Sequence, residues 1–167
     1  MTKNHYGPVA VRNIEPMRMA CYKAVSETPE EDSIGHMRRW LGEKDLIGAR
    51  GVRVFGFDAE VTSEQQKAGL RGYEVWASIP KGVEPPKEMM LKDFSGGLFA
   101  VMRITDPFTN PFEVIPAGWK RLVGWAKANE EYKIVEGPCL EEHIESAEKA
   151  CLDIYLPVGA KKARARP

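Results

Sequence analysis

Residues Val9 to Ala24, VAVRNIEPMRMACYKA, and Met89 to Ile104, MMLKDFSGGLFAVMRI, align without a gap, setting Val11 against Leu91, Ile14 against Phe94, Ala20 against Ala100 and Lys23 against Arg103. The order of the segments downstream of each copy also repeats. An apolar-periodic segment around Trp40 matches one around Trp125, Gly51 to Asp58 matches Gly137 to Ile144, and Tyr73-Glu74-Val75-Trp76 matches Leu152-Asp153-Ile154-Tyr155. Two similar half-modules are expected to meet at a pseudo-twofold axis, and the groove along that axis is where a ligand would sit.

Within each copy the pattern reads β-β-α-β-β. Val9 to Val11 and Arg18 to Lys23 are strand-like and broken at Glu15-Pro16, because proline removes a ladder donor. Thr28-Pro29-Glu30-Glu31 is a helix start, with Thr28 as N-cap, Pro29 at the first helical position and Glu31 closing a capping box. Ile34, Met37 and Leu41 share a helical face, so the helix is expected to run about four turns, to near Leu46. Gly51 to Asp58 and Gly72 to Ile79 read as strands around a polar loop, Thr62 to Gly69. The second copy gives strands at Phe99 to Ile104, Cys139 to Ile144 and Cys151 to Leu156, and a helix from about Pro116 to Asn129 burying Trp119, Leu122, Val123 and Ala126. The proline-rich stretch 80–87 is the linker. The expected architecture is α+β: one domain over residues 1–158, with half-modules at about 8–80 and 88–158, an antiparallel sheet with helices on one face, and a disordered basic tail at 159–167.

Charge narrows the function classes. Twenty-four basic residues balance twenty-four acidic ones, but Lys161, Lys162, Arg164 and Arg166 crowd the end, which leaves an acidic body. Nucleic-acid binding is not expected, since phosphate contacts need clustered Lys and Arg. No apolar run has membrane-spanning length and no signal peptide opens the chain, so a cytoplasmic protein is expected. Cys21, Cys139 and Cys151 form neither a disulfide framework nor a zinc pattern and read as small buried thiols; no metal or other cofactor is expected.

Strand alternation assigns faces. Tyr73, Val75, Ala77 and Ile79 suit the helix-covered side, which turns Glu74, Trp76 and Ser78 the other way; Leu152, Ile154 and Leu156 likewise leave Asp153 and Tyr155 opposite. With Leu140 and Ile144 placed on the core side, Glu141 and His143 join the open face, and Glu142 falls at the core or its edge. The open face then gathers Phe55, Phe57, Glu74, Trp76, Glu141, His143, Asp153 and Tyr155, aromatic walls around carboxylates that suit a planar apolar or cationic molecule. Trp40 and Trp125 read as core residues, and Lys23 and Arg103 as edge charges.

Gly72-Tyr73-Glu74-Val75-Trp76 with Ile79-Pro80, Leu140-Glu141-Glu142-His143-Ile144, and Asp153-Ile154-Tyr155-Leu156-Pro157-Val158 resemble the GyrI-like effector-binding domain family, over about residues 8 to 158. The resemblance implies two SHS2-like modules side by side that bind drug-like cations or other small molecules, often fused to a transcription regulator's DNA-binding domain. Many members carry a Glu-x-Tyr motif on the pocket floor, where this chain has Glu141 and His143. The Gly-Tyr-Glu-x-Trp and Leu-Glu-Glu-His stretches are similar to a standalone branch, the cyclopropanoid cyclopropyl hydrolases. Three functions stay open: a standalone small-molecule receptor using Trp76; a hydrolase with Glu141, or Glu142 in a shifted register, as base and Tyr155 or His143 as donor; and an adaptor presenting the groove to a protein. The oligomeric state is not legible.

Overall fold

In the computed structural model, which describes residues 4–145 and 148–161, the chain runs through β1 (Tyr6–Ile14), β2 (Met17–Ser26), α1 (Pro29–Glu43), β3 (Val54–Ala59), α2 (Ser63–Lys67), β4 (Arg71–Ser78), β5 (Met90–Phe94), β6 (Gly97–Thr105), α3 (Pro111–Ala128), β7 (Tyr132–Ile134), β8 (Leu140–Glu145) and β9 (Ala150–Ala160). The class is α+β, and the strand pairs in both units are antiparallel. Two compact units form, one from residues 16–95 and the other from the residues up to 15 together with those from 96 onward. The unit boundary therefore falls inside each aligned repeat, at Glu15/Pro16 and at Ser95/Gly96, rather than in the stretch 80–87. Strand β1 of the first repeat pairs with β6 of the second, and β5 of the second pairs with β2 of the first. Pro16 marks the first crossing, where a missing N–H costs no ladder bond.

The unit of residues 16–95 orders its strands β3-β4-β2-β5. Helix α1 packs Met37, Trp40 and Leu41 on Ala20, Val75, Ala77, Ile79 and Met89. Three acids in its first turn, Glu30, Glu31 and Asp32, suit the positive end of the helix dipole. Thr28 does occupy the N-cap position, yet its side chain makes no capping bond and no Glu31 capping box forms. The start is instead tied by Ser26, whose hydroxyl donates to Asp32 Oδ2 and accepts from the Thr28 amide. The polar stretch expected as a loop contains α2, held by a reciprocal box in which Thr62 Oγ1 accepts from the Gln65 amide and Gln65 Oε1 from the Thr62 amide.

In the second unit the strand order is β1-β6-β9-β8, with β7 pairing the far end of β9. Helix α3 begins five residues earlier than Pro116, at Pro111, and carries Pro116 in its interior. Its Leu122, Ala126, Val114 and partly buried Trp119, Val123 and Trp125 pack on Ala100, Met102, Ile104, Leu152, Ile154 and Leu156. Gly118 permits this approach: a Cβ there would stand 2.5 Å from Ile104 Cδ1. Residues 159–161, expected in the tail, are ordered: Gly159 and Ala160 pair with Lys133 and Tyr132, and the Lys161 amide bonds the Glu131 carbonyl; the rest of the expected tail, residues 162–167, lies outside the described residues. No helix among the described residues is long and apolar enough to cross a membrane.

Candidate functional site

Cross-strand register fixes which side chains share a face, since directly opposed residues in an antiparallel pair point the same way. In the unit of residues 16–95, Phe55 opposes Trp76 and Phe57 opposes Glu74. The face away from α1 thus carries Phe55, Phe57, Glu74 and Trp76 together. Strand β2 adds Cys21 opposite Trp76 and Lys23 opposite Glu74. Strand β5 adds Lys92 opposite Met19 and Phe94 opposite Met17. A merely solvated face would leave its aromatics wet, but Phe55 is 0% and Trp76 5% exposed.

Trp76 organises this cluster. Its indole Nε1–H donates to Glu74 Oε1 at 2.7 Å, which fixes the carboxylate beside the ring. Phe57 meets the indole edge-on at 5.1 Å and 86°, Phe94 lies tilted at 5.9 Å, and the Lys92 ammonium sits 4.8 Å above the ring centroid. The Arg53 guanidinium lies 5.0 Å over the Phe55 ring. Cys21 is buried, and burial first, then repulsion from Glu74, pushes its thiol up to about 12 against an opposing pull from Lys92. Lys23 bonds the Glu60 carbonyl at 2.8 Å. Aromatic faces, a held carboxylate and an ammonium can together bind a flat ring system that carries charge.

In the second unit the register corrects the expected faces of β8. Leu140 opposes Tyr155, Glu141 opposes Ile154, Glu142 opposes Asp153 and His143 opposes Leu152. Glu141 and His143 therefore lie on the α3 side, where Trp119 Nε1 approaches Glu141 Oε2 at 3.5 Å. Glu142 takes the other face, and the Tyr155 hydroxyl donates to its Oε1 at 2.6 Å. The expectation fails because it puts Leu140 on the helix side as an apolar residue, whereas both faces bury apolar groups and Leu140 is buried opposite the helix. A slip of one residue inverts every side chain on a strand. Tyr155 and Glu142 are 2% and 7% exposed, and Phe99 packs edge-on against the Tyr155 ring at 6.0 Å. Asp153, also buried, receives two bonds from Arg103, at 2.7 and 3.0 Å, and this pairing raises the guanidinium pKa further. Arg103 is thus a structural partner rather than a loose edge charge.

Sequence reasoning missed Lys92, Phe94 and Phe99. Alternation along Met90, Lys92 and Phe94 was a usable signal, but it is the pairing of β5 with β2 that brings Lys92 and Phe94 to Trp76, and no local pattern encodes that partner. Cys139 is exposed rather than buried. Among the described residues no group of three or more His, Cys, Asp or Glu is placed to hold a metal ion. A cleft of about 300 Å³ in the unit of residues 16–95 is lined by Met17, Arg18, Gly51, Ser78 and Ile79 among others, and none of the expected site residues reaches it.

Residues 11–158 match the family model Cass2, described as integron-associated effector binding protein. Among solved structures, an integron cassette protein from the mobile metagenome of Vibrio cholerae superposes with a TM-score of 0.53 at 13% identity, covering 93% of this chain and 98% of the other. The C-terminal domain of EcmrR gives 0.63 at 12% identity, with 91% and 97% covered. SAV2435, solved bound to tetraphenylphosphonium, gives 0.53 at 11% identity, with 92% and 94% covered. At these identities the superpositions establish the fold. No curated protein sequence matches the chain.

Proposed function

The chain belongs to the family of integron-associated effector-binding proteins, and on that footing we propose that it takes a planar aromatic or cationic small molecule against Trp76. The observation that carries the reading is the carboxylate of Glu74 clasped by the Trp76 indole N–H inside a cluster with Phe57 and Phe94. A flat ligand gains area burial on the rings, and a positive charge gains the carboxylate as well as the aromatic faces. The solved complex of SAV2435 with tetraphenylphosphonium, a protein of the same fold, lends support. Titration of the protein with N-methylacridinium, followed by tryptophan fluorescence and calorimetry, tests it. Saturable binding that weakens at least tenfold in both Trp76→Ala and Glu74→Gln supports the site; binding indifferent to Trp76→Ala counts against it.

A second reading, hydrolytic opening of an activated cyclopropane, is favoured by one observation, the buried contact between Tyr155 and Glu142. In it Glu142 takes a proton from water as the oxygen bonds to a ring carbon, the strained C–C bond breaks, and its electron pair ends on a phenolate oxygen; protonation of Glu142 releases the Tyr155 O–H from the carboxylate to donate to that oxygen. Glu142 replaces Glu141 as the base because Glu141 lies on the helix side with Trp119. Turnover of a cyclopropanoid substrate that persists unchanged in Glu142→Gln would remove this assignment.

A further inference from the structure

Lys92 reaches the same indole ring from an unexpected direction. It sits on β5 opposite Met19, while Trp76 sits on β4 opposite Cys21, so the lysine stem crosses β2 to place its ammonium 4.8 Å from the ring centroid. The two polar attachments of Trp76 then carry opposite charges: Glu74 at the indole N–H and Lys92 over the π face. Cys21, between them on β2, feels both, its thiol raised by Glu74 and lowered by Lys92. A cation bound to an indole occupies the position over the ring face that this ammonium already holds. The aligned position in the first copy, Arg12, is also a cation.

We propose that Lys92 is the residue that sets the charge preference of the Trp76 site, acting as a tethered cation that an incoming cationic ligand must displace and that an anionic or electron-rich ligand keeps as a partner. The inference rests on the reading of the Trp76 cluster as the ligand site. Lys92 is exposed and its stem is flexible, so displacement into water is open to it. The site therefore binds cations below its potential and discriminates by charge more weakly than a carboxylate alone would.

Tetraphenylphosphonium and tetraphenylborate share a shape and differ in the sign of charge, so their affinity ratio isolates the effect. Calorimetry with wild type, Lys92→Met, Lys92→Arg and Trp76→Ala, each checked for fold by circular dichroism, gives the test. In Lys92→Met the phosphonium is expected to bind about two- to fivefold tighter and the borate weaker by a similar factor, from the usual strength of an exposed cation–π contact. Lys92→Arg is expected to keep the wild-type ratio within about twofold. Binding that depends on Trp76 but keeps its charge ratio in Lys92→Met overturns the role of Lys92 and leaves the ligand site standing. Probe binding that is absent, or indifferent to Trp76→Ala, overturns the site and the Lys92 assignment together.

Discussion

Replacing Tyr155 by phenylalanine removes one oxygen and leaves the ring contact with Phe99 in place, so it isolates the bond to Glu142. That bond is 2.6 Å long, within the range of charge-assisted O–H···O⁻ contacts, and its partners are 2% and 7% exposed. A hydrogen bond to a charged group contributes about 1.5–3 kcal/mol, and here its loss strips a buried carboxylate of a donor. For a chain of this size the expected fall in Tm is between about 3 and 12 °C. The sharper test is a pair of double-mutant cycles read by urea unfolding, with circular dichroism and fluorescence as independent probes of a two-state transition. Tyr155→Phe with Glu142→Gln should show a coupling of at least about 1 kcal/mol. Tyr155→Phe with Glu141→Gln should be additive within about 0.5 kcal/mol, because Glu141 points to the other face. Coupling of Tyr155 to Glu141 and not to Glu142 would refute the register on which the site is built.

Local geometry gives two further outcomes. Gly56→Ala is expected to cost about 1–3 kcal/mol, seen as a lower urea midpoint, since the new Cβ would overlap three atoms of the buried Tyr73 side chain. Cys21 makes stability fall in alkali: its thiol is held near 12 by burial and Glu74, while an unfolded chain loses that proton near 9, so unfolding releases a proton and stability declines as pH rises from about 9 towards 12. The loss approaches about 4 kcal/mol at most, and the gap between wild type and Cys21→Ala should narrow across urea titrations at rising pH.

The repeat, its β-turn-β openings, the core face of α1 and the open faces of β4 and β9 were legible because each rests on local periodicity. Pairing was not. Nothing in Val9 to Ile14 says that it joins Gly97 to Thr105 instead of its own neighbour, since both pairings satisfy the same alternation. Strand β8 was misread for a related reason: alternation gives two sides but labels them only if one is apolar, and here Leu140 is buried opposite the helix while Glu141 lies towards it. Two helix starts were missed although their chemistry was present, the Thr62 and Gln65 box of α2 and the Asn110-Pro111 entry to α3. In the proposed site, the shared face of Glu74 and Trp76 was legible from alternation along β4; Lys92 and Phe94 arrive from a strand distant in the chain from β2, through a pairing only the fold supplies.

The central claim, that a ligand lies against Trp76, is tested most directly by a crystal soaked with tetraphenylarsonium, whose arsenic marks its own position by anomalous scattering. An anomalous peak is expected beside the Trp76 ring, with a phenyl group against Phe57 or Phe94 and Lys92 moved off the indole face. A peak in the cleft lined by Arg18 and Ser78, with the Trp76 cluster unchanged, would contradict it.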